Sequence, residues 1–303
     1  MLSFDLCLAW NWEYDADFVH LLEAACAARR VSFRQITPET LEQALAGLSN
    51  EETGFSVYFD RASESDLRFQ PLADWADSHG VFRINSHSQA PWLEDKATMQ
   101  AEFIRRGLNT PYTVILPSYE EQAEIPLADL DPFRESFTIK PARGGGGEGV
   151  VLEASSWEQV LAARRQFPAE KYLLQAYVAT RLLAGRPAWF RVLYCDGAVY
   201  ACWWDPATHI YTWVTAEERA QFGLRILYEV PRRIAQICRL HLFSTEIALS
   251  KDGQFLVVDY INDPLDLRLQ SKASDGVPDA IVENIARRLA MIVDRNKSQK
   301  QPG

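Results

Sequence analysis

Polar breaks divide the chain into short apolar stretches whose spacing predicts strands and helices. The apolar run 4–10 is typical of a buried strand, and apolar residues at helical spacing predict a helix over 17–30. The next predicted elements are a helix that opens at Pro38, a strand at 55–59, a helix at 72–78 and a strand at 80–85. Strands that alternate with helices in this way indicate a small α/β unit built on a parallel sheet.

The rest of the chain predicts more strands, and hairpins dominate from Trp189 onward. Asp95 and Lys96 lie in the first turn of a predicted helix over 92–107. Turns that contain Asp-Gly favour hairpins. The predicted elements are strands at 112–116, 137–140 and 172–178, hairpins at 191–204 and 245–260, and helices at 157–166, 216–222, 230–241 and 277–294.

Composition narrows the class of protein and its partners. The 303 residues are enough for two or three compact units, each with its own core. The formal net charge of -10 predicts a surface that repels phosphate backbones, so we expect no nucleic-acid partner. No apolar run approaches the ~20 residues that span a bilayer. We therefore expect no membrane contact.

The cellular compartment is predicted from the first residues and from the cysteines. The chain shows no basic leader followed by an apolar stretch and a cleavage site. None of its five cysteines has a partner at metal-ligand or redox spacing, and most lie in apolar runs. We interpret them as buried free thiols, which favours a cytoplasmic location.

The glycine-rich run 144–149 is the strongest local signal. Such a run opposes helix and strand interiors, and it stands between two apolar segments, so we predict a flexible hairpin tip. A loop of this kind lets backbone N–H groups approach phosphate oxygens. It lacks the Lys-Ser/Thr of a Walker loop, and it leads into a strand, unlike a dinucleotide-binding fingerprint. A bare surface hairpin is the alternative.

Charged residues near this loop and near the last hairpin suggest a phosphate and metal site. Lys140 ends the strand before the loop, where its ammonium can lie over phosphates, although an exposed edge-strand lysine is the alternative. Glu246 lies on one strand of the hairpin, and Asp259 and Asn262 lie at the end of the other. Such oxygen ligands suit Mg²⁺ held between protein and phosphates. Solvated acids at a hairpin end are the alternative.

The order of these motifs resembles the ATP-grasp superfamily, in the branch with glutathione synthetase and the ribosomal-protein glutamate ligases. The resemblance covers about residues 85–265, and it depends on the order of motifs that are individually weak. The matching motifs are Asp95-Lys96, Ile139-Lys140-Pro141, the glycine loop, the 173–178 strand, Phe190-Arg191-Val192, Glu246 and 259–262.

The resemblance implies an α/β (α+β) fold with three parts. A small parallel α/β domain over 1–88 would precede the two ATP-grasp subdomains. The first of these, 89–178, would carry the glycine loop, and the second, 179–296, would carry the metal site. The polar tail 297–303 is predicted to fray.

The resemblance also implies a role for each matching residue. Arg191 and Lys140 would be catalytic, and the backbone of Ala176 and Val178 would pair with adenine. Arg268 and Lys272 follow the metal motif, where acceptor carboxylates often dock. The implied nucleotide contacts are Lys96, Lys140, Gly145, Gly146, Gly147, Gly149, Gln175, Ala176, Tyr177 and Val178, and the implied ligands for one or two Mg²⁺ ions are Glu246, Asp259 and Asn262.

Three positions depart from the family pattern. Ile261 takes the place where the metal-binding Asn is expected, so a bulge is needed to bring Asn262 back, and Asp263 is an alternative ligand. No acid occurs between 176 and 195 to hold the ribose hydroxyls. Trp189 stands where an acid often precedes the strand arginine.

The implied function is an ATP- and Mg²⁺-dependent ligase that forms ADP and phosphate. A carboxylate would be activated as an acyl-phosphate, which an amine or thiol then attacks. The substrates would be small-molecule or peptide carboxylates and amines, and a homodimer stays open. A small-molecule kinase and a non-catalytic nucleotide-binding module are the alternatives. A polar loop with Asp60 and Arg61 is a further candidate substrate contact.

Overall fold

A computed structural model describes residues 2–86, 91–126, 130–133, 136–144 and 147–297. Its first sheet is parallel throughout, with strand order β2-β1-β3-β4. Parallel neighbours need crossover connections, which three helices provide. The elements are β1 (Leu2–Trp10), α1 (Ala16–Ala28), β2 (Phe33–Ile36), α2 (Leu41–Ser49), β3 (Thr53–Arg61), α3 (Gln70–Ser78) and β4 (Phe82–Ile84). The predicted α/β unit is confirmed.

The second sheet is antiparallel, with strand order β5-β8-β6-β7. Its elements are α4 (Lys96–Arg105), β5 (Thr113–Leu116), β6 (Phe137–Pro141), β7 (Val151–Ala154), α5 (Trp157–Gln166) and β8 (Tyr172–Ala176). The glycine-rich run joins the paired strands β6 and β7, so it stands at a hairpin end as predicted.

The third sheet is antiparallel, with strand order β13-β12-β11-β14-β15, and a two-stranded ribbon precedes it. The ribbon and sheet strands are β9 (Leu182–Leu183), β10 (Arg186–Pro187), β11 (Trp189–Cys195), β12 (Ala198–Trp204), β13 (Tyr211–Trp213), β14 (Leu242–Leu249) and β15 (Phe255–Asn262). The helices are α6 (Ala216–Gln221), α7 (Ile226–Cys238) and α8 (Asp279–Asn296).

Alternation along β11 gives the third sheet two different faces. Phe190 and Val192 point to a core that also contains Trp203 and residues of α4 and α7. Because side chains alternate along a strand, Arg191 lies on the opposite face. That face carries the candidate site.

The predicted bounds of two helices are wrong by more than three residues. The helix expected over 92–107 begins only at Lys96, because Asp95 is extended and its carboxylate accepts a hydrogen bond from the Thr98 N–H (3.0 Å). The helix expected over 230–241 runs from Ile226 to Cys238 and ends where Arg239 is left-handed (φ 56°).

One hydrophobic core joins the first sheet to the last helix. Leu6 and Leu8 of β1 and Phe18 of α1 belong to the same buried cluster as Ile285 and Leu289 of α8. The three sheets fall within the three predicted parts, whereas α8 packs against the first of them. The boundaries at 88 and 178 stay predictions.

Two further expectations concern the cysteines and membrane contact. All five cysteines are buried free thiols, as interpreted from their spacing. Within the described ranges, no helix combines the length and the apolar character needed to cross a membrane.

Candidate active site

Three charged side chains line up across the third sheet. Arg191 of β11 pairs in register with Glu246 of β14, and Glu246 pairs with Asp259 of β15. Paired residues of neighbouring antiparallel strands lie on the same face. The sheet therefore brings the predicted arginine and two predicted metal ligands side by side.

Glu246 is held by donors on both of its oxygens. Arg191 NH1 contacts Oε1 (3.1 Å), and the Trp189 indole N–H donates to Oε2 (2.9 Å). Burial raises the pKa of the Glu246 carboxyl above its usual value, and Arg191 opposes this shift. Trp189, which stands where an acid was expected, thus serves as a neutral donor to the Glu246 carboxylate.

The bulge required by the spacing of Asp259 and Asn262 is present. The pairing of β14 with β15 changes register between Ser244–Asn262 and Glu246–Asp259. The extra residue on β15 brings the Asn262 side chain beside Asp259. The Asn262 Nδ2 donates to Asp259 Oδ2 (3.0 Å). Asp263 instead accepts a hydrogen bond from Asn85 Nδ2 (2.8 Å).

Lys140 joins the second sheet to the third. Its side chain is buried, and its Nζ donates to Gln175 Oε1 (3.0 Å) and to the Val258 carbonyl (3.5 Å). The ammonium also lies 5.2 Å from the centre of the Tyr260 ring. Burial lowers the pKa of Lys140, and the Asp259 carboxylate opposes that shift most strongly.

Lys96, the first residue of α4, contacts the segment that leads into the glycine-rich run. Its Nζ donates to the Gly144 carbonyl at the start of the glycine run, and its backbone N–H donates to the Ala142 carbonyl (2.8 Å). Burial lowers the pKa of Lys96, and Asp259 again provides the largest opposing charge. Asp259 is therefore the carboxylate whose charge acts most strongly on both predicted lysines.

The glycine-rich run packs tightly at one end. Gly145 and Gly146 lie outside the described residues. Gly147 and Gly149 both have positive φ (79° and 71°). A Cβ on Gly149 would lie 2.6 Å from Phe167 Cε2, whereas a Cβ on Gly147 would meet nothing within 4 Å.

We expect Gly149→Ala to weaken nucleotide binding more than Gly147→Ala does. Both changes strain a left-handed backbone by about 1–2 kcal/mol, but only the first forces the loop away from Phe167. The KM for ATP should rise at least fivefold in Gly149→Ala relative to Gly147→Ala. Equal KM values in the two variants would show that the packing against Phe167 does not position the loop.

Comparison with solved structures decides the fold. A RimK domain protein ATP-grasp from Sphaerobacter thermophilus has a TM-score of 0.64 over 95% of this chain and 99% of that chain, at 18% identity. A D-alanine–D-alanine ligase from Bacillus anthracis complexed with ATP has a TM-score of 0.65 over 98% and 97%, at 11% identity. The chain has the ATP-grasp fold. The ATP-grasp ligase PsnB, complexed with minimal precursor, Mg and ADP, is also similar (TM-score 0.62, 13% identity, 99% and 100% covered). No protein-family model and no curated protein matches the sequence.

The predicted adenine-binding strand of this ATP-grasp fold is β8 and the residues after it. Gln175 is buried, and its Nε2 donates to the Tyr260 hydroxyl (3.3 Å). The Ala176 N–H donates to the Tyr112 carbonyl (2.8 Å). Val178 is buried and Tyr177 is exposed. Because the Ala176 N–H already donates a hydrogen bond, an adenine base at this strand would have to contact other backbone groups.

The donor set around Asp259 fits Mg²⁺ that is shared with phosphates. The described residues contain no group of three or more His, Cys, Asp or Glu placed to hold a metal ion. Mg²⁺ is commonly bound through one or two carboxylates together with substrate phosphates and waters. Glu246, Asp259 and the Asn262 amide match that smaller set.

The residues predicted to contact substrate differ in their exposure and in their ion pairs. The Arg268 guanidinium is in ion pairs with Asp266 (2.7 Å) and Asp275 (2.8 Å), whereas Lys272 is exposed. Arg61 is buried in an ion pair with Asp15 (2.7 Å). Arg61, which belongs to the polar loop predicted to contact substrate, therefore has its side chain buried inside the protein.

Sequence patterns missed two residues that organise the site. Trp189 fixes Glu246, and the Tyr260 hydroxyl joins Gln175 to Gln100. The role of Tyr260 could have been predicted from its position next to Asp259. Side chains alternate along a strand, so the Tyr260 side chain lies on the face opposite Asp259. The Trp189 contact depends on pairing between strands far apart in sequence.

Proposed function

We propose that this chain is an ATP- and Mg²⁺-dependent ligase that activates a carboxylate as an acyl-phosphate for attack by an amine. The observation that carries the proposal is the row of Arg191, Glu246 and Asp259 across the third sheet. Lys140 Nζ bonds to the Val258 carbonyl next to Asp259, and Lys96 Nζ bonds to the Gly144 carbonyl of the glycine-rich run. Two buried or half-buried ammonium groups facing paired acids suit a metal-bound triphosphate. The ligases with a similar fold, complexed with ATP or with Mg and ADP, support this proposal.

The chain's own residues would act mainly by holding charge in place. Lys96 and Lys140 would hold the nucleotide phosphates, with the glycine loop over them. Glu246, Asp259 and Asn262 would hold Mg²⁺, which neutralises charge on the transferring phosphoryl group. Catalysis of this kind depends on positioning and on fixed opposite charges.

Arg191 would act at the reacting carboxylate. A carboxylate oxygen attacks the γ-phosphorus, the bond to ADP breaks, and an acyl-phosphate forms. The Arg191 guanidinium, fixed by Glu246 and by Ser244 Oγ (3.2 Å from Nε), would stabilise the negative charge on that group. The amine then forms a bond to the acyl carbon, and phosphate leaves.

A general trap for the acyl-phosphate tests this function without a known acceptor. The protein is incubated with Mg-ATP, hydroxylamine and a panel of small and peptide carboxylates, while hydroxamate, ADP and phosphate are measured. We expect at least one acid to give hydroxamate, ADP and phosphate in equal amounts. A stable phosphorylated product without phosphate release would indicate a kinase. Nucleotide binding with no turnover on any acid would indicate a non-catalytic module.

A further inference from the structure

A series of buried hydrogen bonds runs from Lys140 to the segment before β5. Lys140 Nζ donates to Gln175 Oε1 (3.0 Å), and Gln175 Nε2 donates to the Tyr260 hydroxyl (3.3 Å). The Tyr260 hydroxyl donates to Gln100 Oε1. Gln100 Nε2 in turn donates to the Pro111 carbonyl (3.4 Å). These five residues form a continuous amide relay, with Tyr260 at its centre.

The two ends of the amide relay fix the direction of every hydrogen bond in it. A lysine ammonium only donates and a backbone carbonyl only accepts. The Pro111 carbonyl therefore requires the nitrogen of Gln100, which turns the Gln100 oxygen toward Tyr260. The Tyr260 proton goes to that oxygen, so the hydroxyl can only accept from the Gln175 nitrogen. The Gln175 oxygen is thus left to face Lys140.

The amide relay is shielded from solvent. Its side chains, those of Gln100, Lys140, Gln175 and Tyr260, belong to residues that are between 1% and 8% exposed. Burying a polar group without a partner is costly. If the Gln175 amide turned over, its nitrogen would face the Lys140 ammonium, and two donors would meet where solvent cannot separate them. The direction of the relay therefore matters most at Lys140.

The same relay leaves the Lys140 ammonium with one donor to spare. Within the described residues, its hydrogen-bond acceptors are Gln175 Oε1 and the Val258 carbonyl (3.5 Å). An ammonium has three N–H groups, so one remains for a phosphate oxygen. The Tyr260 ring also lies against this ammonium, with its centre 5.2 Å from Nζ. The direction of the remaining N–H is therefore set by Gln175, Val258 and Tyr260.

The amide relay connects the second sheet to α4 and to the strand that carries Asp259. Tyr260 directly follows Asp259 on β15. Gln100 lies four residues after Lys96 on α4, so the two side chains are on the same side of that helix, one turn apart. The relay therefore links the elements that carry both predicted phosphate lysines and a predicted metal ligand.

We propose that Tyr260 is a positioning residue for the nucleotide phosphates, acting through Gln175 on Lys140. The Tyr260 hydroxyl, whose proton is committed to Gln100, keeps the Gln175 oxygen against Lys140 and so directs the remaining N–H of the ammonium. This inference rests on the nucleotide site of the proposed function, and it holds for any carboxylate and any acceptor. Tyr260 would act without contacting the nucleotide.

Calorimetric titration with a non-hydrolysable ATP analogue and Mg²⁺ tests the inference. Tyr260→Phe keeps the ring but removes the hydroxyl, so we expect its Kd for the analogue to be at least fivefold higher than that of wild type. Tyr172→Phe removes another buried hydroxyl, which donates to the Ala163 carbonyl, and its Kd should stay within twofold of wild type. An unchanged Kd in Tyr260→Phe, or an equal rise in Tyr172→Phe, would overturn the inference.

A double-mutant cycle tests whether Tyr260 acts through Gln175. Gln175→Leu should itself raise the Kd at least fivefold, and adding Tyr260→Phe to it should change the Kd less than twofold. Losses that multiply would mean that the two residues act independently, and the inference would fail. If Tyr260→Phe does not fold, Gln100→Met breaks the same relay and frees the Tyr260 proton. Its Kd should rise at least threefold, and an unchanged Kd would again overturn the inference.

Magnetic resonance of isotope-labelled lysine side chains gives a readout without nucleotide. The ammonium signal of Lys140 is identified by its loss in Lys140→Ala. Its protons should exchange with water at least fivefold faster in Tyr260→Phe than in wild type or in Tyr172→Phe, and equal exchange in all three would overturn the inference. Failure of wild type to bind the ATP analogue would instead overturn the nucleotide site and with it the proposed function, while the exchange rates still decide whether the relay holds Lys140.

Discussion

Lys140→Ala should abolish the stabilisation of the protein by Mg-ATP, while the protein without nucleotide keeps or gains stability. Lys140 is only 8% exposed, and its ammonium donates to an amide oxygen and a carbonyl, with no carboxylate among its hydrogen-bond partners within the described residues. A buried charge without a directly bonded partner of opposite charge is costly, so its removal should not weaken the apo protein. Nucleotide phosphates would supply the missing partner.

Thermal unfolding with and without Mg-ATP measures both effects. Ligand at 100 times its Kd adds about 2.7 kcal/mol to the free energy of unfolding, or roughly several degrees in Tm. Wild type should show this shift and Lys140→Ala should show none. Lys171→Ala removes the same charge at an exposed position at the edge of β8 and serves as the control. A full shift in Lys140→Ala would remove this lysine from the nucleotide site.

Asp259→Asn should lower the rate of ADP formation by on the order of 10²–10³-fold, the scale seen when one fixed electrostatic contact is lost. Asp259 is the acid that opposes the pKa shifts of both Lys96 and Lys140, and it pairs in register with Glu246. An amide keeps the size of the side chain but loses the charge that attracts Mg²⁺. The variant should also need a higher Mg²⁺ concentration for half-maximal nucleotide binding.

The dependence on Mg²⁺ separates a metal role from a purely structural one. Asp252→Asn makes the same substitution at the exposed turn of the same β14–β15 hairpin, so it should leave the Mg²⁺ requirement unchanged. If Asp259→Asn lowered Tm without nucleotide but kept the wild-type Mg²⁺ midpoint, Asp259 would be a structural residue. The metal assignment would then fail.

Features that depend on neighbouring residues could be predicted from the sequence. The helix expected over 157–166 has those bounds, because Ser156 and Gln159 form a capping box at its start. The glycine-rich run was placed at a hairpin end because apolar segments flank it. The spacing of Asp259 and Asn262 on β15 requires a bulge, and the structure contains it.

Features that depend on distant pairing could not be predicted in this way. Lys140 is buried because it contacts Gln175 and Val258. Val258 is 118 residues from Lys140 in the sequence. The sequence predicts that Arg268 faces a substrate carboxylate. Its guanidinium instead forms ion pairs with Asp266 and Asp275, because the loop folds back at Gly276. Local patterns identify which residues carry charge, whereas tertiary pairing decides which of those charges stay available.

The shared core of β1, α1 and α8 has a consequence for how the protein is made. Leu6 and Phe18 are translated before Ile285 and Leu289 of α8, which cover them in the folded protein. The first sheet therefore exposes an apolar surface until α8 has been translated. During that interval the uncovered apolar surface makes the incomplete chain prone to aggregation.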